Sequence, residues 1–137
     1  ESTNRSGVHT GEVTREDVER APLRHARALA AVTGATVLLK GSTTLVLGPA
    51  PDSVVWSQAD APPWLATAGA GDVLAGLLGV LLAAGLPPDE AGALGALVHG
   101  VSADRANPGG PVRALDVAHA IPGTVAALLR RARTSSS

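Results

Sequence analysis

The apolar positions of this chain follow two periodicities, and the changes from one to the other mark out its elements. Thr14 followed by Arg15, Glu16 and Asp17 has the form of a helix start, with acid in the first turn. Pro22 breaks or restarts that helix, and Leu23, Ala26, Leu29, Ala30 and Thr33 continue at helical spacing up to Gly34. One face of this helix is expected to pack inward, with His25 among Arg24 and Arg27 on the solvent side. Ala35 to Leu39 is a short unbroken apolar run, the pattern of a strand buried on both faces. Thr44 to Leu47 and Ser53 to Trp56 flank the turn-rich Gly48-Pro49-Ala50-Pro51-Asp52, which predicts an antiparallel hairpin.

Helical spacing then returns. Val73, Leu74, Leu77, Leu78, Leu81 and Leu82 predict a helix closed by Gly85. Pro87, Pro88, Asp89 and Glu90 open another. Its expected apolar stripe is Leu94, Leu97, Val98 and Val101, while Gly92, Gly95, Ala96 and Gly100 let neighbours come close. From Leu115 a last helix is expected to kink or restart at Pro122, turn Val125, Leu128 and Leu129 inward, and end in Arg130, Arg131 and Arg133. The order helix, strand, hairpin, loop and three helices predicts an α/β domain in three layers. A single domain is expected over 1–137, with a flexible or truncated start at 1–13 and a frayed tail at 134–137.

Composition narrows the chemistry. Hydrophobic residues make up 45% of the 137, yet the aromatics are only Trp56 and Trp64, so Ala, Val and Leu must fill the core. Packing then depends on close backbone approach. Eleven basic against twelve acidic residues leave a net charge of −1, which argues against a general nucleic-acid or acidic-membrane binder. The absence of cysteine rules out a disulfide framework and a thiolate metal site within this sequence. With no secretory signal and no apolar run of spanning length in the sequence, the expected location is cytoplasmic.

Two stretches carry candidate chemistry. Gly69 and Gly71 lie one residue apart, directly before a lone carboxylate, Asp72, and an apolar helix. A glycine loop at a helix start lets N–H groups converge at the positive end of the dipole, which suits a phosphate. Asp72 then has two readings, a helix N-cap or a base that accepts the proton of an attacking hydroxyl. The second stretch, Lys40-Gly41-Ser42-Thr43-Thr44, follows the first strand, where open α/β sheets gather ligands. Lys40 is the chain's only lysine beside ten arginines, and its readings are a polyphosphate or ribose contact or a plain strand-end residue. Asp60, in the irregular connector that leads to the glycine loop, reads as a solvated carboxylate or a ligand neighbour.

The run Leu65-Ala66-Thr67-Ala68-Gly69-Ala70-Gly71-Asp72-Val73-Leu74-Ala75-Gly76 closely resembles the signature of the ADP/ATP-dependent NAD(P)H-hydrate dehydratases of the ribokinase-like superfamily. The resemblance implies a ribokinase-like fold of which this chain is the C-terminal portion. It implies dehydration of NADHX or NADPHX to NADH or NADPH through a phosphorylated intermediate, with ADP or ATP as donor and Mg2+. Asp72 would be the catalytic base, also touching substrate, and Gly69, Ala70 and Gly71 the anion hole. Lys40, Gly41, Ser42, Thr43 and Thr44 resemble the family's Lys-Gly-x-x-Thr nucleotide segment. Val8-His9-Thr10-Gly11-Glu12 resembles its histidine turn, which would put His9 against the substrate. Val98-His99-Gly100 resembles a segment near the nucleotide base, although a satisfied structural histidine is the main reading of His99. A homo-oligomer, and fusion to an epimerase domain in the parent, are further implications. The alternatives are a ribokinase-like kinase of a vitamin-precursor alcohol and a non-catalytic nucleotide-binding module.

Overall fold

The computed structural model describes residues 12–59 and 61–135. Helix α1 (Arg15–Arg20) starts at a reciprocal cap: the Asp17 N–H donates to the Thr14 hydroxyl, and the Thr14 N–H donates to the Asp17 carboxylate. Pro22 opens α2 (Pro22–Thr33), and Gly34, in the left-handed region at φ 67°, closes it by donating its N–H to the Ala30 carbonyl. The inward face of α2 is made by Ala26 and Ala30, while Leu23 and Leu29 are exposed. His25 is half-buried rather than on the solvent side.

Strands β1 (Val37–Leu39), β2 (Thr44–Leu47) and β3 (Val55–Gln58) form an antiparallel sheet in the order β1-β2-β3. The expected hairpin is β2–β3, registered by Val46 opposite Trp56 and Thr44 opposite Gln58. The first strand departs from its expected burial on both faces. It is only half-buried, because α2 covers one face and it pairs with a strand on the β2 side alone. Val37, Leu39, Leu47 and Val55 join Ala26 and Ala30 in one core on the α2 side.

On the other side lie α3 (Ala70–Ala83), α4 (Pro88–Ala106) and α5 (Ala114–Ser135), which completes the three layers. Helix α4 buries Gly92, Gly95, Ala96 and Gly100, and of the expected stripe only Val98 is fully buried, with Leu94 exposed. The reason is distance. A Cβ on Gly92 would stand 2.6 Å from Cγ1 of Val46, and one on Gly95 2.5 Å from Cδ2 of Leu78, so β2 and α3 press against backbone where leucine has no room. Helix α5 passes through Pro122 without a restart. Val125 and Leu129 are exposed; Val117 and Thr124 point inward, and the Ser102 hydroxyl donates to Thr124 at 3.0 Å. The helix also continues through Thr134 and Ser135, whose hydroxyls donate to the Arg131 carbonyl. No helix among the described residues is long and apolar enough to cross a membrane.

Two outcomes follow from this packing. Gly92→Ala drives a methyl into the stiff, β-branched Val46 and should lower unfolding stability by about 1–3 kcal/mol in urea titration, partly restored by adding Val46→Ala. Helix α5 starts with the Arg113 guanidinium and N–H both donating to Asp116, and the hydrogen bond from that side chain holds the carboxyl at about 2, below the usual 3.8. A depressed carboxyl adds stability above its unfolded value and loses it as pH falls. The stability difference between the native protein and Asp116→Asn should therefore persist at neutral pH and shrink between pH 3.8 and about 2.

Candidate functional site

The start of α3 is shaped by Gly69, whose φ of 82° and ψ of −12° put it in the left-handed region. That turn lets the Gly69 carbonyl accept from the N–H groups of Asp72 and Val73, at 3.1 and 3.2 Å, while the Ala70 N–H donates to Thr67. The Gly69 and Gly71 amides make no such bond among the described residues, and both residues are exposed. Ala70 between them is buried against Leu65, Ala103, Val112 and Val117, so the loop is anchored from below by α4 and α5. Within the anion hole expected from the sequence, two amides are left unbonded among the described residues and the third closes the turn.

Asp72 is the third residue of α3, and Gly69 is the N-cap. The N-cap reading of Asp72 is thereby excluded. Its carboxylate is exposed and makes no hydrogen bond or ion pair among the described residues, within the first turn where the helix dipole favours a negative charge.

Lys40 follows β1 directly and is exposed, as are Gly41, Ser42 and Thr43. Thr44 differs: it opens β2, is 7% exposed, and lines a cavity of about 440 Å³ between the hairpin and α4 that also takes in Val46, Trp56, Gln58 and Leu97. This large cavity lies beside the glycine loop's layer and meets the Lys40–Thr44 segment only at Thr44. His9 and Asp60 lie outside the described residues.

His99 is the residue whose setting the sequence reading missed. It is 2% exposed, and its Nε2 has no partner among the described residues, so it is not the satisfied histidine expected. Burial first, and the Lys40 ammonium second, push its imidazole below the usual range, while the Ala70 backbone acts in the opposite direction. The structure thus sets a buried ring on α4 beside Ala70, the first residue of α3. The signal was present in the spacing: His99 stands three residues after Ala96 and seven after Gly92, on the close-packed small face of α4. Among the described residues no group of three His, Cys, Asp or Glu side chains could hold a metal ion.

A family model described as NAD(P)H-hydrate dehydratase matches residues 10–122. The chain belongs to the NAD(P)H-hydrate dehydratase family. Over 78 residues it is 49% identical to the ADP-dependent (S)-NAD(P)H-hydrate dehydratase of Neisseria meningitidis serogroup B, a match covering 57% of this chain and 26% of that protein. Over 85 residues it is 47% identical to the bifunctional NAD(P)H-hydrate repair enzyme Nnr of Mycobacterium leprae, covering 61% of this chain and 18% of that protein. The ADP/ATP-dependent NAD(P)H-hydrate dehydratase of Bacillus subtilis, co-crystallized with ATP/Mg2+, superposes with a TM-score of 0.71 at 23% identity over 82% of this chain and 41% of that one. That likeness establishes the ribokinase-like fold. The chain spans about a quarter or less of the length of these two relatives.

The loop makes a direct prediction. Gly69→Ala forces a side chain into the left-handed region with its Cβ 3.1 Å from that of Ala114, and should cost about 1–2 kcal/mol of stability in thermal or urea unfolding. Gly71→Ala, with open space around its Cβ, should cost clearly less.

Proposed function

We propose that this chain carries the phosphoryl-transfer portion of an NAD(P)H-hydrate dehydratase, which uses a nucleotide to convert NADHX or NADPHX to NADH or NADPH. The observation that carries this reading is the unpartnered Asp72 carboxylate on the turn of α3 where the exposed Gly69 and Gly71 leave their amides unbonded among the described residues. A carboxylate in that place repels a resting phosphate but suits a proton acceptor for the substrate hydroxyl that attacks it. In this reading the Gly69 and Gly71 amides stabilise charge on the transferring phosphoryl group, with Ala70 holding the turn. Lys40, Gly41, Ser42 and Thr43 form the exposed rim for the nucleotide, with Thr44 behind them. His9 belongs to the substrate side.

Loss of phosphate from the phosphorylated hydroxyl completes the dehydration, and the nucleotide supplies that phosphoryl group. ADP is the favoured donor, a choice supported by the name of the Neisseria relative, and ATP is the other. Asp72 belongs to no group of three or more His, Cys, Asp or Glu side chains among the described residues. That fits an ion held chiefly by substrate phosphates. A second repair activity in the same polypeptide, expected as an epimerase, is supported by the bifunctional Mycobacterium relative.

The test is NADHX dehydration by the full protein that carries this chain, read as NADH absorbance with ADP and with ATP. Asp72→Ala should lower turnover about 10²–10⁴-fold while leaving nucleotide affinity near its original value. Lys40→Ala should instead weaken nucleotide binding about tenfold or more by calorimetry. Undiminished turnover in Asp72→Ala contradicts the assignment, and accumulation of a phosphorylated alcohol in place of NADH moves the reading to a kinase of the same fold.

A further inference from the structure

Helices α3 and α4 run antiparallel along their seam, and two contacts fix how they align. A Cβ on Gly95 would stand 2.5 Å from Cδ2 of Leu78 and 3.7 Å from Cδ1 of Leu74. Two turns further along α4, Ala103 shares an apolar core with Ala70, the first residue of α3. Positions 95, 99 and 103 succeed one another at one helical turn, as do 78, 74 and 70. His99 therefore lies between the two contacts, against the first turn of α3. It is 2% exposed, and its Nε2 has no partner among the described residues. The effect of the Ala70 backbone on the ring agrees with that place.

The ring is thus part of the packing that seats the glycine loop, and it is the part whose charge can change. Little around it suits an imidazolium. Helix α3 presents the positive end of its dipole there, and its Asp72 is exposed. Lys40, after β1, acts on the ring as a like charge. Helix α5 turns toward α4 the uncharged Thr124, bonded to Ser102, and at its start pairs Arg113 with Asp116. On α4 itself Asp104 and Arg105 are exposed. A proton on His99 then has to be met by water, which reaches the ring when the first turn of α3 parts from α4.

We propose that His99 is a positioning residue for the glycine loop: as a neutral ring it seats the first turn of α3 against α4, and as a charged ring it unseats that turn. The bonds at stake run from the Asp72 and Val73 N–H groups to the Gly69 carbonyl. Leu74 and Leu78, against Gly95, keep the rest of α3 in place. That the loop serves a phosphate rests on the proposed function; its dependence on the ring does not.

Hydrogen exchange of the full chain tests this without a substitution. Protection of the Asp72 and Val73 amides, corrected for the intrinsic rate, should fall below pH 6.5, the ordinary histidine value that the ring regains once exposed. The fall should reach up to about tenfold per pH unit. The Ala84 amide, bonded to Val80 at the other end of the helix, should keep its protection. His99→Gln, uncharged at every pH, should flatten the fall while His9, His25 and His119 stay in place. If that variant does not fold, the ring 15N shifts of the native chain decide, since the loss of protection must track protonation of His99. Protection at Asp72 and Val73 that stays level in acid, falls equally in His99→Gln, or follows another histidine overturns the proposal. Sulfate, whose charge is constant over this range, should bind at neutral pH and lose affinity in step with the loop. Sulfate that never binds, with the exchange signature present, counts against the proposed function alone.

Discussion

The structure depends on the close seating of neighbouring side chains against the glycine backbone along the small face of α4. Gly92 meets Val46 of β2 and Gly95 meets Leu78 of α3, each so closely that a methyl group has no space. Dispersion and exclusion of water act over the whole of such a face, so the position of the helix is fixed to within a fraction of an ångström. This matters beyond stability. The glycine loop starts α3, and the lysine segment ends β1 and leads into β2. What fixes α4 between α3 and β2 therefore fixes the loop relative to the lysine.

The site on this frame has a simple electrostatic logic. In the proposed site, two unbonded amides and a helix N-terminus offer partial positive charge, Lys40 would add a full one, and Asp72 adds a negative charge one residue beyond. Such a set is balanced for a group that is anionic and next to a hydroxyl about to lose its proton. The core beneath it is apolar, with Ala70, Leu65 and Val117 against Ala103 and Val112. Among the buried polar residues, Ser102 and Thr124 bond to one another, whereas the Nε2 of His99 has no partner among the described residues.

Much of this was legible in the sequence. Proline and glycine at 22, 34, 85 and 88 set helix limits, because each has one conformational preference that the chain obeys locally. The hairpin and the glycine loop were legible for the same reason. What failed were statements about which face is buried. Leu94, Val125 and Leu129 were read as inward by their hydrophobicity, yet all three are exposed, and α4 turns Gly92 and Gly95 to its neighbours instead. Asp72 illustrates a limit of another kind: its N-cap and base readings differ by three residues of register, and only the observed turn at Gly69 separates them. The burial of His99 and its unpartnered Nε2 required the packing of elements far apart in sequence.

The central claim is that the turn at Gly69 to Gly71 is an anion site completed by Lys40. The most direct measurement is a titration of the 15N-labelled chain with ADP, following backbone amides. The account predicts saturable shifts centred on Gly69, Gly71 and Lys40. Shifts centred instead on Val46, Trp56 and Leu97, around the cavity between the hairpin and α4, would contradict it.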